Sequence, residues 1–570
     1  MGVLTRPFIR ISKRTTRHMS TWSSNRDLFE YTSGRFLFNE QRRLAERRVQ
    51  FNVDALVNAV CQSTNRPAGD ISSLSKLTEN DQNRVIQTTF KDGHNVLAKI
   101  PYKIAVPEKL AVASEVATLD LLRRTGVPVP KVLAYCAGRT NPVGAEYILL
   151  EKPEGRPLSE TWLSMTNETR AEVMKQIVAE ESKFLSIPFP SSGSGSLYYR
   201  RDLEEAQFCI SLPAQEGIIP PPDQMVFGPS TQSTWWYQER KLLDVDRGPW
   251  SDYLSCFEAP AKRELEYCKR FVKPRLHPER YLRELYHSKE MSQTAHIDLL
   301  SDYLKLAPYL NVPLDHPFAY PTLRHPNLSP DNILVDSSYN ITAIIEWQNA
   351  VVLPLCLCAA VPDSFQNWGG PGSETLTKPD TNLPKDYHEL SAYEQAKAQE
   401  AVLKRIAHYY YSALTTQDHF DAMSGENSIR RAEVFKRVGV PWEGNSLPLK
   451  VATMDTVIRW PTGAMAIDNE NCSGLVECPV KYSEQEISQC RNELKQVAGA
   501  RQELAGLTEM IGIDSLGWVP DDEQLERSRA MAQTTKEAML ENSESDVQRT
   551  AVMEHWPFDD HDEGPLDIED

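Results

Sequence analysis

Hydrophobic positions along this chain follow two different periods, and the places where the period changes divide it into elements. Residues 84–90 and 95–100 read as two strands. Between them Lys91-Asp92-Gly93-His94 has the composition of a turn, so a hairpin is predicted over 84–100. Over 110–124 the spacing becomes helical: Val112, Val116, Leu119 and Leu122 fall on one face, and Gly126 follows as a stop. The span 38–62 also reads as a helix, with Leu44, Val49, Leu56 and Val57 among charged neighbours. Val127-Pro128-Val129-Pro130 must be extended, because each proline ring crowds the preceding residue out of the helical region. Residues 147–150 make a short apolar strand, and Glu151-Lys152-Pro153-Glu154-Gly155 reads as a hinge.

Beyond the hinge the pattern is mainly helical with long loops. Residues 191–196 read as a Gly/Ser linker, and 218–223 are rich in proline. Helices are expected at 393–411, 484–509 and 521–541. The longest apolar run, 350–361, is interrupted by Pro354 and falls short of the ~18 residues a membrane span needs, so it reads as buried loop or strand.

Length changes this picture by requiring more than one unit: 570 residues suggest two to four. The net charge of −17 argues against a nucleic-acid binder, which would carry a basic footprint. The first residues depart from that acidic balance. Arg6, Arg10, Lys13, Arg14 and Arg17 all precede the first acid, Asp27, with Ser and Thr interleaved and Phe8, Ile9 and Ile11 as an apolar stripe. This is the composition of a mitochondrial presequence over 1–25, cut near Met19 to Trp22, and it implies a mitochondrial location; the plainer alternative is a basic tail. Ten cysteines lie far apart. The closest pair, Cys356 and Cys358, has no second pair at zinc spacing, so free thiols in a reducing compartment are expected. Residues 541–570 end in a crowd of acids and read as a solvated, disordered tail.

Chemistry enters through the order of five features. A hairpin ends in Lys99, a helix carries Glu115, and a hinge follows. Then comes His325-x-Asn327 with Asn332 five positions later, and after an apolar run Glu346-Trp347-Gln348. That order is the plan of the kinase fold. The chain resembles the aminoglycoside phosphotransferase family of protein-kinase-like enzymes, and within it a fungal mitochondrial branch. The resemblance runs from about Tyr31 to past Tyr411 and includes Tyr31-Thr32-Ser33-Gly34-Arg35, Gly126-Val127-Pro128-Val129-Pro130 and Asp246-Arg247-Gly248-Pro249-Trp250. It implies a bilobal α+β fold, with a small N-lobe of antiparallel sheet plus helix and a large, mainly helical C-lobe. The expected division is 26–155 for the N-terminal helix and N-lobe, 156–420 for the C-lobe, and 421–540 for a helical extension.

The resemblance also implies roles. Lys99 would neutralise the phosphates of ATP, Glu115 would hold its ammonium, and Asn332 and Glu346 would offer oxygen to Mg²⁺. Asn327 would orient an acceptor hydroxyl, and His325 would brace the loop. Three positions depart from the family pattern. Asn327 stands where the family has an aspartate that takes the acceptor's proton, and an amide cannot do so. Glu346 replaces a metal-binding aspartate and carries its carboxylate one methylene further out. The segment 77–84 lacks the usual glycines and contains Glu79 and Asp81, which must turn away if phosphates are to approach. Two readings follow. One is an ATP-dependent phosphotransferase acting on a small-molecule hydroxyl with an impaired site. The other is an inactive pseudokinase that binds nucleotide or a protein partner.

Overall fold

The computed structural model describes residues 26–564, apart from 106, 192, 215–223, 311, 371–372, 374–375 and 461–476. The presequence expected at 1–25 and the proline-rich 218–223 therefore lie outside the described residues.

Five antiparallel strands form the N-lobe sheet, in the order Ile71–Glu79, Asn83–Phe90, Asn95–Pro101, Tyr147–Glu151 and Val132–Cys136. Alternation along the strands sorts the side chains into two layers. Ile86, Val96, Ala98, Ile100 and Leu149 pack with Leu56, Val57 and Val60 of helix Val53–Thr64. Val85, Leu97, Ile148 and Leu150 face the other way, towards helix Leu110–Arg124 and the C-lobe core. Lys99 shares the parity of Leu97, so the strand's own period delivers it to the helix side. The helix matches its expected bounds, but it is buried well beyond one face. Ala113, Ala117 and Leu121 are covered as well as Val112, Val116, Leu119 and Leu122, because Ser196–Tyr199 packs on the far side.

The N-terminus of that helix depends on Glu146, whose Oε1 accepts the backbone N–H of Lys109 at 2.7 Å. Glu146 is 2% exposed. Burial pushes its carboxyl up to about 7, against the Lys109 bond and the Arg139 charge. The folded state therefore holds a proton that the unfolded chain releases at ordinary glutamate pH. This contribution is complete below about pH 4.5 and is lost as pH rises through about 7. Glu146→Gln keeps the acceptor and removes the charge. Thermal melts should show the variant gaining on the wild type between pH 5 and pH 8, by at most about 3 kcal/mol. A constant difference across that range would refute this account.

The C-lobe is helical. Asn167–Leu185 lies against Ala392–Leu414, and Tyr253–Arg270 against Gln293–Leu310. Short strands carry the loops between these helices. Ile333–Val335 pairs with Ile341–Ile344 and with Arg156–Pro157, and Pro321–Leu323 pairs with Val352–Pro354. The apolar run 350–361 supplies one of these strands and the short helix Leu355–Cys358. The result is the bilobal kinase-like α+β architecture the sequence led us to expect. Among the described residues no helix is long and apolar enough to cross a membrane.

Three local expectations are corrected. The single helix over 38–62 is two, Glu40–Glu46 and Val53–Thr64. Between them Val49 and Phe51 are buried while Arg48 and Gln50 are exposed, a period of two that a short window confuses with a helical stripe. Asn52 then starts the second helix by accepting the Ala55 N–H at 3.0 Å. Nor do residues 193–196 of the expected linker behave as one. Ser194 exchanges backbone bonds with Trp250 and Gly195 with Val352, and a Cβ on Gly195 would lie 2.5 Å from the Gly228 carbonyl. The small residues there permit close backbone approach. Within the described residues the tail is folded: Asp546–His555 is a helix, and Trp556 and Phe558 are buried beside Phe38 and Ile511. Its acids are not merely solvated, since Glu563 pairs with Arg43 at 2.6 Å and Asp560 accepts the Asn39 N–H.

Candidate functional site

Lys99 sits in the strand Asn95–Pro101, opposite Val85 on one side and Ile148 on the other. Its Nζ lies 2.8 Å from Glu115 Oε1, 2.7 Å from Gln348 Oε1 and 3.3 Å from Glu346 Oε2. Lys99 and Glu115 are 6% and 5% exposed. Burial opposes charge on the ammonium, but Glu115 and Glu346 outweigh it and hold the lysine above its ordinary pKa. Burial raises the Glu115 carboxyl, and Lys99 offsets this only in part because Glu346 adds a second negative charge nearby. One ammonium thus faces two carboxylates, and the cluster is one charge short of neutral when both are ionised.

The loop after strand Pro321–Leu323 is braced by His325. Its Nε2 donates to the Ile345 carbonyl at 2.8 Å, and its Nδ1 accepts the Asn327 N–H at 3.0 Å. Those two bonds require the neutral ring, and burial brings its pKa down to about 4. The ring also stands edge-on to Trp347, 4.4 Å between centroids, and Trp347 is fully buried against Phe184. Asn332 donates its side-chain N–H to the Asn327 carbonyl at 2.8 Å, which leaves its amide oxygen as the group a ligand can use. The Asn332 backbone carbonyl accepts from Ile345 at 2.9 Å and ties this loop to the residue before Glu346. Asn327 and Asp331 are both exposed.

Glu346 adopts φ 66, a left-handed conformation uncommon outside glycine and concentrated at functional sites. Four donors converge on its Oε2: Gln348 at 2.6 Å, Lys99 at 3.3 Å, Asn83 at 3.4 Å and Asn80 at 3.5 Å. None of these bonds reaches Oε1. Burial raises this carboxyl, yet Lys99 and the Gln348 and Asn83 amides outweigh it and keep the group below the ordinary glutamate value.

Both acids of the glycine-free turn are paired with cations, but only Glu79 is turned away, since Asp81 lines the cavity beneath the turn. Glu79 has a fully buried side chain and accepts from Arg84 at 2.8 and 3.0 Å, Lys76 at 2.6 Å and the Thr32 N–H at 2.7 Å. Asp81 pairs with Arg47. A cavity of about 260 Å³ lies beneath this turn. Lys99, Glu115, Asn83 and Gln348 line its polar side, and Ile104 and Val112 line its apolar side.

Mg²⁺ fits this donor set. It takes hard oxygen ligands and often only one or two protein groups, the rest coming from water and phosphates. Glu346 Oε1 and the Asn332 amide oxygen are such groups, and the unbalanced carboxylate charge favours a cation. Among the described residues no group of three His, Cys, Asp or Glu forms an all-protein metal cage.

Of the residues singled out from sequence, Lys99, Glu115 and Glu346 meet directly. Asn332, His325 and Asn327 reach the same place through the bonds to Asn327, Ile345 and Asn332. Trp250, in one of the motifs that carry the resemblance, packs against Trp235 with ring centroids 5.4 Å apart. Sequence reading missed Asn80, Asn83 and the part played by Gln348. Only Gln348 had a signal: it stands two residues beyond Glu346, on the far limb of the same turn.

No family model matches the chain. A subtelomeric hrmA-associated cluster protein of Aspergillus fumigatus is 30% identical over 527 residues, covering 86% of this chain and 98% of the relative. Altered inheritance of mitochondria protein 9, mitochondrial, of Yarrowia lipolytica is 27% identical over 397 residues, covering 65% of this chain and 66% of that protein. The mitochondrial location expected from the first residues agrees with the name of that relative. The crystal structure of aminoglycoside phosphotransferase APH(2'')-Ib, ADP-bound, aligns over 71% of this chain and 96% of its own, with 11% identity and a TM-score of 0.33. A score that low adds nothing to the geometry above.

Proposed function

The chain belongs to the family of the subtelomeric hrmA-associated cluster proteins of Aspergillus fumigatus, and from that premise and its cleft we propose that it is a mitochondrial kinase-like protein that binds ATP with Mg²⁺ and transfers phosphate slowly to a small-molecule hydroxyl. The observation that carries this reading is the convergence of Lys99, Glu115 and Glu346 in one cleft, with Asn332 tied beside them. Lys99 binds phosphate charge, and Glu115 keeps the ammonium in place. Asn332 and Glu346 Oε1 would hold the metal, which when bound neutralises charge on the transferring group. Asn327 can orient the acceptor hydroxyl, but its amide leaves the proton without a base at that position. Phosphoryl transfer depends mainly on positioning and charge neutralisation, so loss of the base slows it by ~10²–10⁴ rather than ending it.

A second reading, the pseudokinase, is favoured by one feature. Asn80, Asn83 and Gln348 already occupy Glu346 Oε2, so the cleft is held together without any ligand. A thermal-shift assay with ATP, with and without Mg²⁺, separates the possibilities. The first reading expects a metal-dependent stabilisation, about 2.7 kcal/mol at a hundredfold excess over Kd, that disappears in Lys99→Ala. No shift with any nucleotide would remove both the enzyme and the nucleotide-gated module.

A further inference from the structure

The turn above Lys99 has no glycine, yet besides its bonds to Glu346 it is tied to the N-terminal segment through several side chains. Asn80 closes it internally, its Oδ1 accepting the Gln82 and Asn83 N–H groups at 2.9 Å each. Glu79 at its near edge takes the Thr32 N–H at 2.7 Å and the Ser33 hydroxyl at 3.0 Å. Arg84 at its far edge binds Glu79 and donates to the carbonyls of Leu28 at 3.1 Å and Arg47 at 3.2 Å. Arg47 pairs with Asp81 at the tip, with its guanidinium 5.5 Å from the Tyr31 ring centre and 5.0 Å from that of Phe36.

That N-terminal segment is itself gripped by the far end of the chain. Arg35–Phe36 pairs with Trp518–Val519, and the Leu37 N–H donates to the Gly517 carbonyl at 2.7 Å. The Trp518 indole donates to the Tyr31 hydroxyl at 3.2 Å. Trp518 lies so close to Gly34 that a Cβ there would sit 2.0 Å from the indole nitrogen. The C-terminal extension is anchored in turn to the C-lobe, through Glu279 with Arg501 and Tyr281 with Glu503 at 3.0 Å. The two lobes are therefore also connected through the C-terminal extension, and that connection ends on the tip of the turn.

We propose that Arg47 is a positioning residue for the phosphates of a bound nucleotide: acting through Asp81, it holds the glycine-free turn at a set height over Lys99 and Glu346, on an aromatic platform that Trp518 fixes. This rests on the nucleotide-binding reading. The physical basis is preorganisation. A turn whose side chains are already locked loses little freedom when a ligand arrives, so side-chain ties replace the bare backbone of a glycine-rich loop. Arg47 also cancels the charge of Asp81, which would otherwise repel the ligand.

Calorimetric titration of the full chain with ATP, ADP and AMP in the presence of Mg²⁺ tests this, using wild type, Arg47→Met, Asp81→Asn and Trp518→Phe. Positioning predicts that Arg47→Met weakens ATP about tenfold and leaves AMP, which lacks the phosphates under the turn, within about twofold. Asp81→Asn should weaken ATP in the same way, and Trp518→Phe less so. A folding defect would weaken all three nucleotides together, and that pattern overturns the proposal. So does tighter ATP binding by Asp81→Asn, because the acid would then merely repel. If Arg47→Met fails to fold, the other two variants decide. A wild type that binds ATP beside variants that bind it equally well sinks the positioning role alone. A wild type that binds no nucleotide sinks the nucleotide reading and this proposal with it.

Discussion

Asn327→Asp raises the basal rate of ATP-dependent phosphoryl transfer by ~10²–10⁴, the range over which a general base contributes. The geometry supports so large an effect from one atom exchange. Asn332 already donates to the Asn327 carbonyl, and His325 already receives the Asn327 N–H, so the loop's backbone is held independently of its side chain. The substituted carboxylate is exposed, so burial does not impede its ionisation. ADP release is the measurement, with Lys99→Ala in the same background as control. A well-folded variant with an unchanged rate would show that the missing base is not what limits the chemistry. Attention would then pass to Glu346 and the turn above it.

Lys99→Met has the largest expected effect on stability. Among the described residues the substitution removes the only ammonium paired with the buried Glu115 and the half-buried Glu346, and it fills the space with an unbranched apolar chain. Breaking a buried pair from one side costs about 3–5 kcal/mol, because the surviving carboxylate charge is left uncompensated. The loss should depend on pH. Without Lys99 both carboxyls are held above their unfolded pKa by burial and by each other. The variant is then most stable where they are protonated, and it loses stability as pH rises through those raised values. Melting temperatures at pH 5 and pH 8 check this: the deficit against wild type grows with pH. A deficit equal at both pH values would mean that the lysine contributes packing and little charge compensation.

Much of the cleft was legible in the chain because its positions follow from local periods. Hairpin alternation puts Lys99 on the helix side of the sheet, and helical spacing puts Glu115 on the face turned towards it. Five residues separate Asn327 from Asn332, and that span closes on itself through a single side-chain bond. None of these needs a long-range contact to be foreseen. The partners of Glu346 are different. Asn80 and Asn83 lie more than 260 positions away, and an asparagine in a polar turn carries no mark of its eventual neighbour. The tail misled for a related reason. A run of acids looks solvated until a basic surface is supplied, and Arg42 and Arg43 supply it from the opposite end of the chain. The small residues at 191–196 looked like a linker because close packing and flexibility call for the same residue types.

By itself, the sequence determined the two-lobed plan, the strand and helix that carry the central ion pair, and the amide standing at position 327. Those features depend on residue type and spacing, which are written in the chain. Only the tertiary structure decided that Glu79 faces away from the cleft and that Asp81 is paired with Arg47, that four donors share one oxygen of Glu346, and that segments far apart in the chain meet to hold the turn. Each of these is set by which distant surfaces touch. A side chain's charge is local, but what neutralises it depends on where the fold puts its neighbours.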